Sequence, residues 1–91
     1  MSPVRAGSVS IGAGCPLALL AGPCVIESTD HCLRMADALR RVAEHLGMPF
    51  VFKASYDKAN RTSVESYRGP GLEAGLSALA RVRAECGVPT L

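Results

Sequence analysis

Two kinds of apolar pattern alternate along this chain, and that alternation limits the fold more than any other feature. Leu17-Ala18-Leu19-Leu20-Ala21 is a continuous apolar run closed by Gly22-Pro23, as expected of a strand buried on both faces of a parallel sheet. Ser28, Thr29 and Asp30 then offer helix N-caps. Beyond them the apolar residues fall at Cys32, Met35, Ala36, Leu39, Val42, Ala43 and Leu46, which is one face of a helix. Arg34, Asp37, Arg41, Glu44 and His45 take the other side, and Leu33 lies off the stripe. Gly47 suits the position just past the helix end, and Pro49 prevents continuation. Residues 50–54 form a second buried run. Leu72, Gly75, Leu76, Leu79, Val82 and Cys86 make a second helical stripe, with Arg81 and Glu85 outside it and Gly87 as terminator. Val88-Pro89-Thr90-Leu91 starts another extended segment.

Strand, helix, strand, helix and the start of a strand predict an α/β fold with a parallel sheet and right-handed crossovers. A whole (β/α)8 barrel needs about 250 residues, so 91 residues predict a partial TIM (β/α)8 barrel. Its content is the first two βα units plus the start of the third strand. Residues 17–91 carry that truncated barrel portion. Residues 1–16, rich in Gly and Ser, read as a flexible leader with a possible short strand, around 8–11, or hairpin. Open sheet edges and helix stripes without neighbours predict a chain that folds poorly or aggregates in isolation.

Composition narrows the function. The net charge of +2, the lack of Trp and the lack of a basic run argue against a nucleic-acid surface. The apolar stretch 15–21 is broken by Pro16 and too short to span a bilayer. Arg5 alone supplies early positive charge, so signal-peptide logic is weak. Cys15, Cys24, Cys32 and Cys86 show neither CxxC nor paired zinc-ligand spacing, which points to free thiols in a reducing compartment. A soluble, cytoplasmic protein is expected.

The chemistry gathers after the two buried runs. Lys53 and Lys58 are the chain's lysines, and both lie in Phe50-Val51-Phe52-Lys53-Ala54-Ser55-Tyr56-Asp57-Lys58-Ala59-Asn60-Arg61-Thr62-Ser63. Cationic donors at the carboxyl end of a buried strand are where α/β proteins commonly bind small anions. Lys53 offers a point charge to a carboxylate or phosphate, and Arg61 or Arg68 a bidentate clamp. Asn60 and Ser63 add neutral donors for sugar hydroxyls. The competing reading is a set of solvated loop charges; against it, Lys53 directly ends a buried run, which anchors its stem. Cys24 follows Pro23 at the end of the first run, either as a metal ligand or nucleophile or as a small buried residue. Glu27 caps the helix or accepts from a loop lysine. His31 and His45 read as solvated, and Cys15, Cys32 and Cys86 as structural. The opposite turns, around Gly47-Met48-Pro49 and Gly87-Val88-Pro89, carry no such chemistry.

Ala21-Gly22-Pro23-Cys24-Val25-Ile26-Glu27-Ser28, the stretch from Phe50 to Ser63, and Ser66-Tyr67-Arg68-Gly69-Pro70-Gly71-Leu72-Glu73 together resemble the 3-deoxy-8-phosphooctulonate synthase (Kdo 8-phosphate synthase) family. The likeness covers about residues 17–91, matching the amino-terminal third of that family's barrel. The first motif is shared with 3-deoxy-7-phosphoheptulonate synthase, the related enzyme of aromatic biosynthesis. That relative typically reads Lys-Pro-Arg-Thr where this chain has Lys58-Ala59-Asn60-Arg61-Thr62. The resemblance implies condensation of phosphoenolpyruvate with arabinose 5-phosphate, for lipopolysaccharide biosynthesis. By the same resemblance Lys53, Ser55 and Lys58 face phosphoenolpyruvate. Asn60 and Arg61 hold the arabinose, with Thr62 or Ser63 assisting and Arg61 reaching a neighbouring subunit's site. Lys58 and Asn60 are the residues implied to be catalytic. Cys24 is implied to bind a divalent metal (Fe, Mn, Zn or similar), the other ligands coming from later strands absent from this chain, and the full-length enzyme to be a homotetramer. A fragment so placed is expected to be inactive alone. The alternatives are a portion of a heptulonate synthase using erythrose 4-phosphate, or a non-catalytic phosphosugar-binding module.

Overall fold

A computed structural model describes residues 2–58 and 67–91. It is a small mixed α/β domain, with two two-stranded sheets and two helices among the described residues. Strands β1 (Val4–Ala6) and β2 (Val9–Ile11) form an antiparallel hairpin turned at Gly7, whose φ of 59° suits a residue without Cβ. Val9 buries its side chain, and Gly7 lies against Pro89, so the hairpin sits over the amino-terminal end of the last extended segment.

Strands β3 (Leu19–Ala21) and β4 (Phe50–Phe52) pair in parallel, Leu19 opposite Phe50 and Ala21 opposite Phe52. Helix α1 (Thr29–Leu46) makes the crossover between them. Along the far edge of β4 the chain returns after helix α2 (Leu72–Cys86), with Phe52 and Thr90 in a parallel bridge. Phe52 N–H donates to the Pro89 carbonyl at 2.9 Å, and Leu91 N–H donates to the Phe52 carbonyl at 2.8 Å. Consecutive parallel segments therefore lie side by side in chain order, an arrangement compatible with part of an α/β barrel.

Local sequence explains the ends of α1. Ser28 takes an extended conformation and its Oγ accepts from His31 N–H at 3.0 Å, which makes it the N-cap. Gly47 adopts the left-handed conformation, with Gly47 N–H on the Glu44 carbonyl and Met48 N–H on the Ala43 carbonyl. This is the paired closure expected of a Gly-terminated helix. The helices pack through Cys32, Ala36 and Ala43 of α1 and Ala78, Leu79 and Val82 of α2, over Phe50 and Phe52. The small side chains of Cys32, Ala36, Ala43 and Ala78 let the backbones approach closely.

Two burial expectations need correction. Strand β4 is buried throughout, as a continuous apolar run predicts, but Leu17 precedes β3 and is 80% exposed, and Leu20 is 41% exposed. Strand β3 is paired along β4, and alternation turns Leu20 away from the helices that cover Leu19 and Ala21. On α2, Gly75, Ala78, Leu79 and Val82 are buried while Leu72 and Leu76 stay exposed; on α1, Val42 and Leu46 do likewise. Periodicity identifies an apolar stripe, and only the residues that meet α1, α2 or the sheet are covered. Among the described residues, no helix is long and apolar enough to cross a membrane.

Replacing Ser28 by Ala should lower stability by about 1 kcal/mol, and by Gly only a few tenths. Urea unfolding followed by circular dichroism measures the difference; an unchanged stability in the Ala variant would remove the side-chain cap from the account.

Candidate functional site

The loops that leave the carboxyl ends of β3 and β4 run together. Lys53 N–H donates to the Ala21 carbonyl at 3.0 Å, Val25 bridges Ser55 in parallel, and Ile26 N–H donates to the Ser55 carbonyl at 2.9 Å. The register changes on the way: Ala21 pairs with Phe52, yet Val25 pairs with Ser55, so the β3 side carries one extra residue. That residue falls among Gly22, Pro23 and Cys24. Pro23 has no N–H to give to a ladder. A side chain at Gly22 would collide with the Lys53 carbonyl oxygen, so only glycine lets the strands approach this closely. Inserted residues of this kind redirect a side chain, and here Cys24 is exposed.

Lys53 is exposed beside this irregularity, Ser55 is half-buried, and Lys58 is half-buried further along the same arm. Cys24, Lys53 and Ser55 thus occupy adjoining strand extensions, which run about 4.8 Å apart. Asn60, Arg61, Thr62 and Ser63 lie outside the described residues. The chain re-enters at Tyr67, whose hydroxyl donates to the Ile26 carbonyl at 3.0 Å and ties it to the first loop. Lys58 N–H donates to the Arg68 carbonyl at 2.6 Å, and Gly71 N–H donates to the Tyr56 carbonyl at 3.1 Å. A cleft of about 450 Å³ opens beside this arm, lined by Ser55, Tyr56 and Asp57 and walled by Leu76, Leu79 and Leu91.

Arg68 was a candidate anion clamp, and its guanidinium is already engaged. Nε and Nη2 donate to the two carboxylate oxygens of Asp57, each at 3.1 Å. The pair is 56% and 40% exposed, so its stabilising contribution is about 1 kcal/mol at most. The fork that would grip a phosphate is spent on Asp57. Sequence reasoning assigned no role to Asp57 or Tyr67. The nearby opposite charge was a signal for the first, whereas the Tyr67 contact spans 41 positions and leaves no local mark.

His31 also departs from expectation. Its side chain is 29% exposed, with Nδ1 buried and 3.8 Å from Glu27 Oε2. Glu27 therefore faces His31 across the first turn of α1, while Ser28 does the capping. Cys32 is fully buried, and burial raises its thiol pKa; burial, then the nearby Asp37 carboxylate, raises that of Cys86. Neither is suited to be a thiolate at neutral pH. Among the described residues, no group of three or more His, Cys, Asp or Glu is placed to hold a metal ion. The described residues do not make a metal site by themselves; Cys24 fits one thiolate ligand and no more.

These features define part of an α/β protein whose polar chemistry is gathered at the carboxyl ends of parallel strands. The chain belongs to the DAHP synthetase I family, which matches residues 1–91. Curated relatives named 2-dehydro-3-deoxyphosphooctonate aldolase share 58% identity over 82 residues in Synechococcus sp., covering 90% of this chain and 29% of the relative. The protein of that name from Cyanothece sp. is 55% identical over 83 residues, and that from Desulfosudis oleivorans is 57% identical over 83, each covering 91% of this chain and 30% of the relative. The chain spans under a third of the length of these relatives.

A thiol reagent at neutral pH should modify Cys24 rapidly and Cys32 only as the protein unfolds. Mass mapping after brief exposure reads the order, and Cys32 labelled as fast as Cys24 would contradict the packing of α1.

Proposed function

We propose that the chain is the amino-terminal portion of a 3-deoxy-8-phosphooctulonate synthase, built as part of a TIM (β/α)8 barrel. The reaction joins phosphoenolpyruvate, D-arabinose 5-phosphate and water to give 3-deoxy-D-manno-octulosonate 8-phosphate and phosphate. The observation that carries the reading is the Val25–Ser55 bridge, because it sets the Gly22–Cys24 turn beside the lysine-bearing arm. The name of relatives more than 50% identical, 2-dehydro-3-deoxyphosphooctonate aldolase, supports the same eight-carbon product.

In this reading Lys53, Ser55 and Lys58 bind phosphoenolpyruvate, and Asn60 and Arg61 bind arabinose 5-phosphate with Thr62 or Ser63. The enol carbon attacks the aldehyde carbon to form the new C–C bond. Water adds at the carbon bearing the phosphate, and that C–O bond breaks to release phosphate. Holding the two carbons together replaces a bimolecular encounter, and fixed cations offset repulsion between two anions. Lys58 and Asn60 are the catalytic residues of this reading. Cys24 would supply one thiolate ligand to a divalent metal, whose remaining ligands would come from outside these residues. The whole enzyme is a cytoplasmic homotetramer in this reading.

The family match also favours a second reading, a heptulonate synthase using erythrose 4-phosphate. A hybrid enzyme, with the Synechococcus relative's matching segment replaced by this one, separates them by phosphate release with each sugar. Arabinose 5-phosphate should be the better substrate, and Lys58→Ala should lower turnover by about 10²-fold. Preference for the four-carbon sugar, or indifference to Lys58, would refute the proposal.

A further inference from the structure

Residues 56–58 and 68–71 form a neck whose construction exceeds what loop closure alone requires. Arg68 grips two consecutive residues by two means. Its guanidinium holds both carboxylate oxygens of Asp57 at 3.1 Å, and its carbonyl accepts Lys58 N–H at 2.6 Å. The Gly71 N–H bond to the Tyr56 carbonyl closes the other side, in antiparallel sense. Gly69 passes so close that any side chain there would overlap the Tyr56 carbonyl, and its φ of 124° suits glycine alone. The pair bridges eleven positions of sequence in the open, where charge pairs add little stability. A bidentate guanidinium–carboxylate pair does fix orientation, because its two parallel bonds allow one relative geometry.

We propose that Asp57 and Arg68 are positioning residues that set the backbone of Lys58, and through it the direction of the Lys58 ammonium group. The proposal rests on the reading of Lys58 as an anion-binding residue. Arg68 acts on the anion only through Lys58 and does not touch it. A lysine at 68 keeps the charge and loses the fork, so it does not substitute.

Amide hydrogen exchange on the hybrid enzyme tests this, with Leu91 N–H, bonded to the Phe52 carbonyl, as the reference for global opening. Arg68→Lys and Asp57→Asn should each speed exchange at Lys58 by about three- to fivefold and leave Leu91 unchanged. The exchanged pair Asp57→Arg with Arg68→Asp should restore protection. Phosphoenolpyruvate, titrated in the same spectra, should bind both single variants more weakly and the exchanged pair as the parent. Unchanged exchange at Lys58, equal acceleration at Leu91, or no protection of Lys58 in the parent overturns the proposal. If Lys58 follows the pair but phosphoenolpyruvate never binds the parent, the positioning role stands and the anion-site reading falls.

Discussion

The polar end of this molecule depends on β4 being paired along both of its edges. Phe52 sits at the centre: it faces Ala21 on one side, exchanges backbone hydrogen bonds with Pro89 and Leu91 on the other, and is fully buried. Truncating a buried Phe to Ala costs about 3–5 kcal/mol, comparable with the whole stability of a small domain. Only with β4 held on both edges do Lys53, Ser55 and Lys58 emerge in a defined direction. The chemistry is carried by loops, and its geometry is inherited from the strand.

The irregularity after Ala21 turns that order to use. A regular ladder would continue from Ala21 through Gly22 opposite Lys53, leaving no residue unpaired. The extra residue, the missing Pro23 donor and the space left by Gly22 instead let the first loop rejoin the second arm at Val25, with Cys24 exposed between them. Tyr67 then binds the same loop from the far side through the Ile26 carbonyl. Three segments distant in sequence are locked at one end by backbone hydrogen bonds and the Tyr67 hydroxyl, with Cys24 and Lys53 left exposed.

Much of this was legible in the sequence because periodicity and terminators act locally. The Cys32 to Leu46 stripe, the Ser28 cap and the Gly47 stop each rest on neighbours within a few residues, and α1 spans Thr29–Leu46 accordingly. The continuous run at β4 read correctly as buried. Burial of Leu20, Leu72 and Leu76 was misread because cover comes from elements that a stripe does not specify. At the candidate site, the strand-end position of Cys24 and Lys53 was legible from Gly22-Pro23 and the polarity change after Phe52. The one-residue register change and the burial of His31 Nδ1 were not, and for the Arg68–Asp57 pair the nearby opposite charge was a signal without giving the geometry. They arise from pairings between segments, which no local pattern encodes.

The central claim is that the loop after β3 and the arm after β4 form one anion site. The most direct measurement is a crystal structure of the hybrid enzyme with phosphoenolpyruvate bound. The account predicts ligand oxygens within hydrogen-bond reach of the Lys53 and Lys58 ammonium groups, on the side where Cys24 is exposed. A ligand bound elsewhere, with both ammonium groups pointing into solvent, would contradict it.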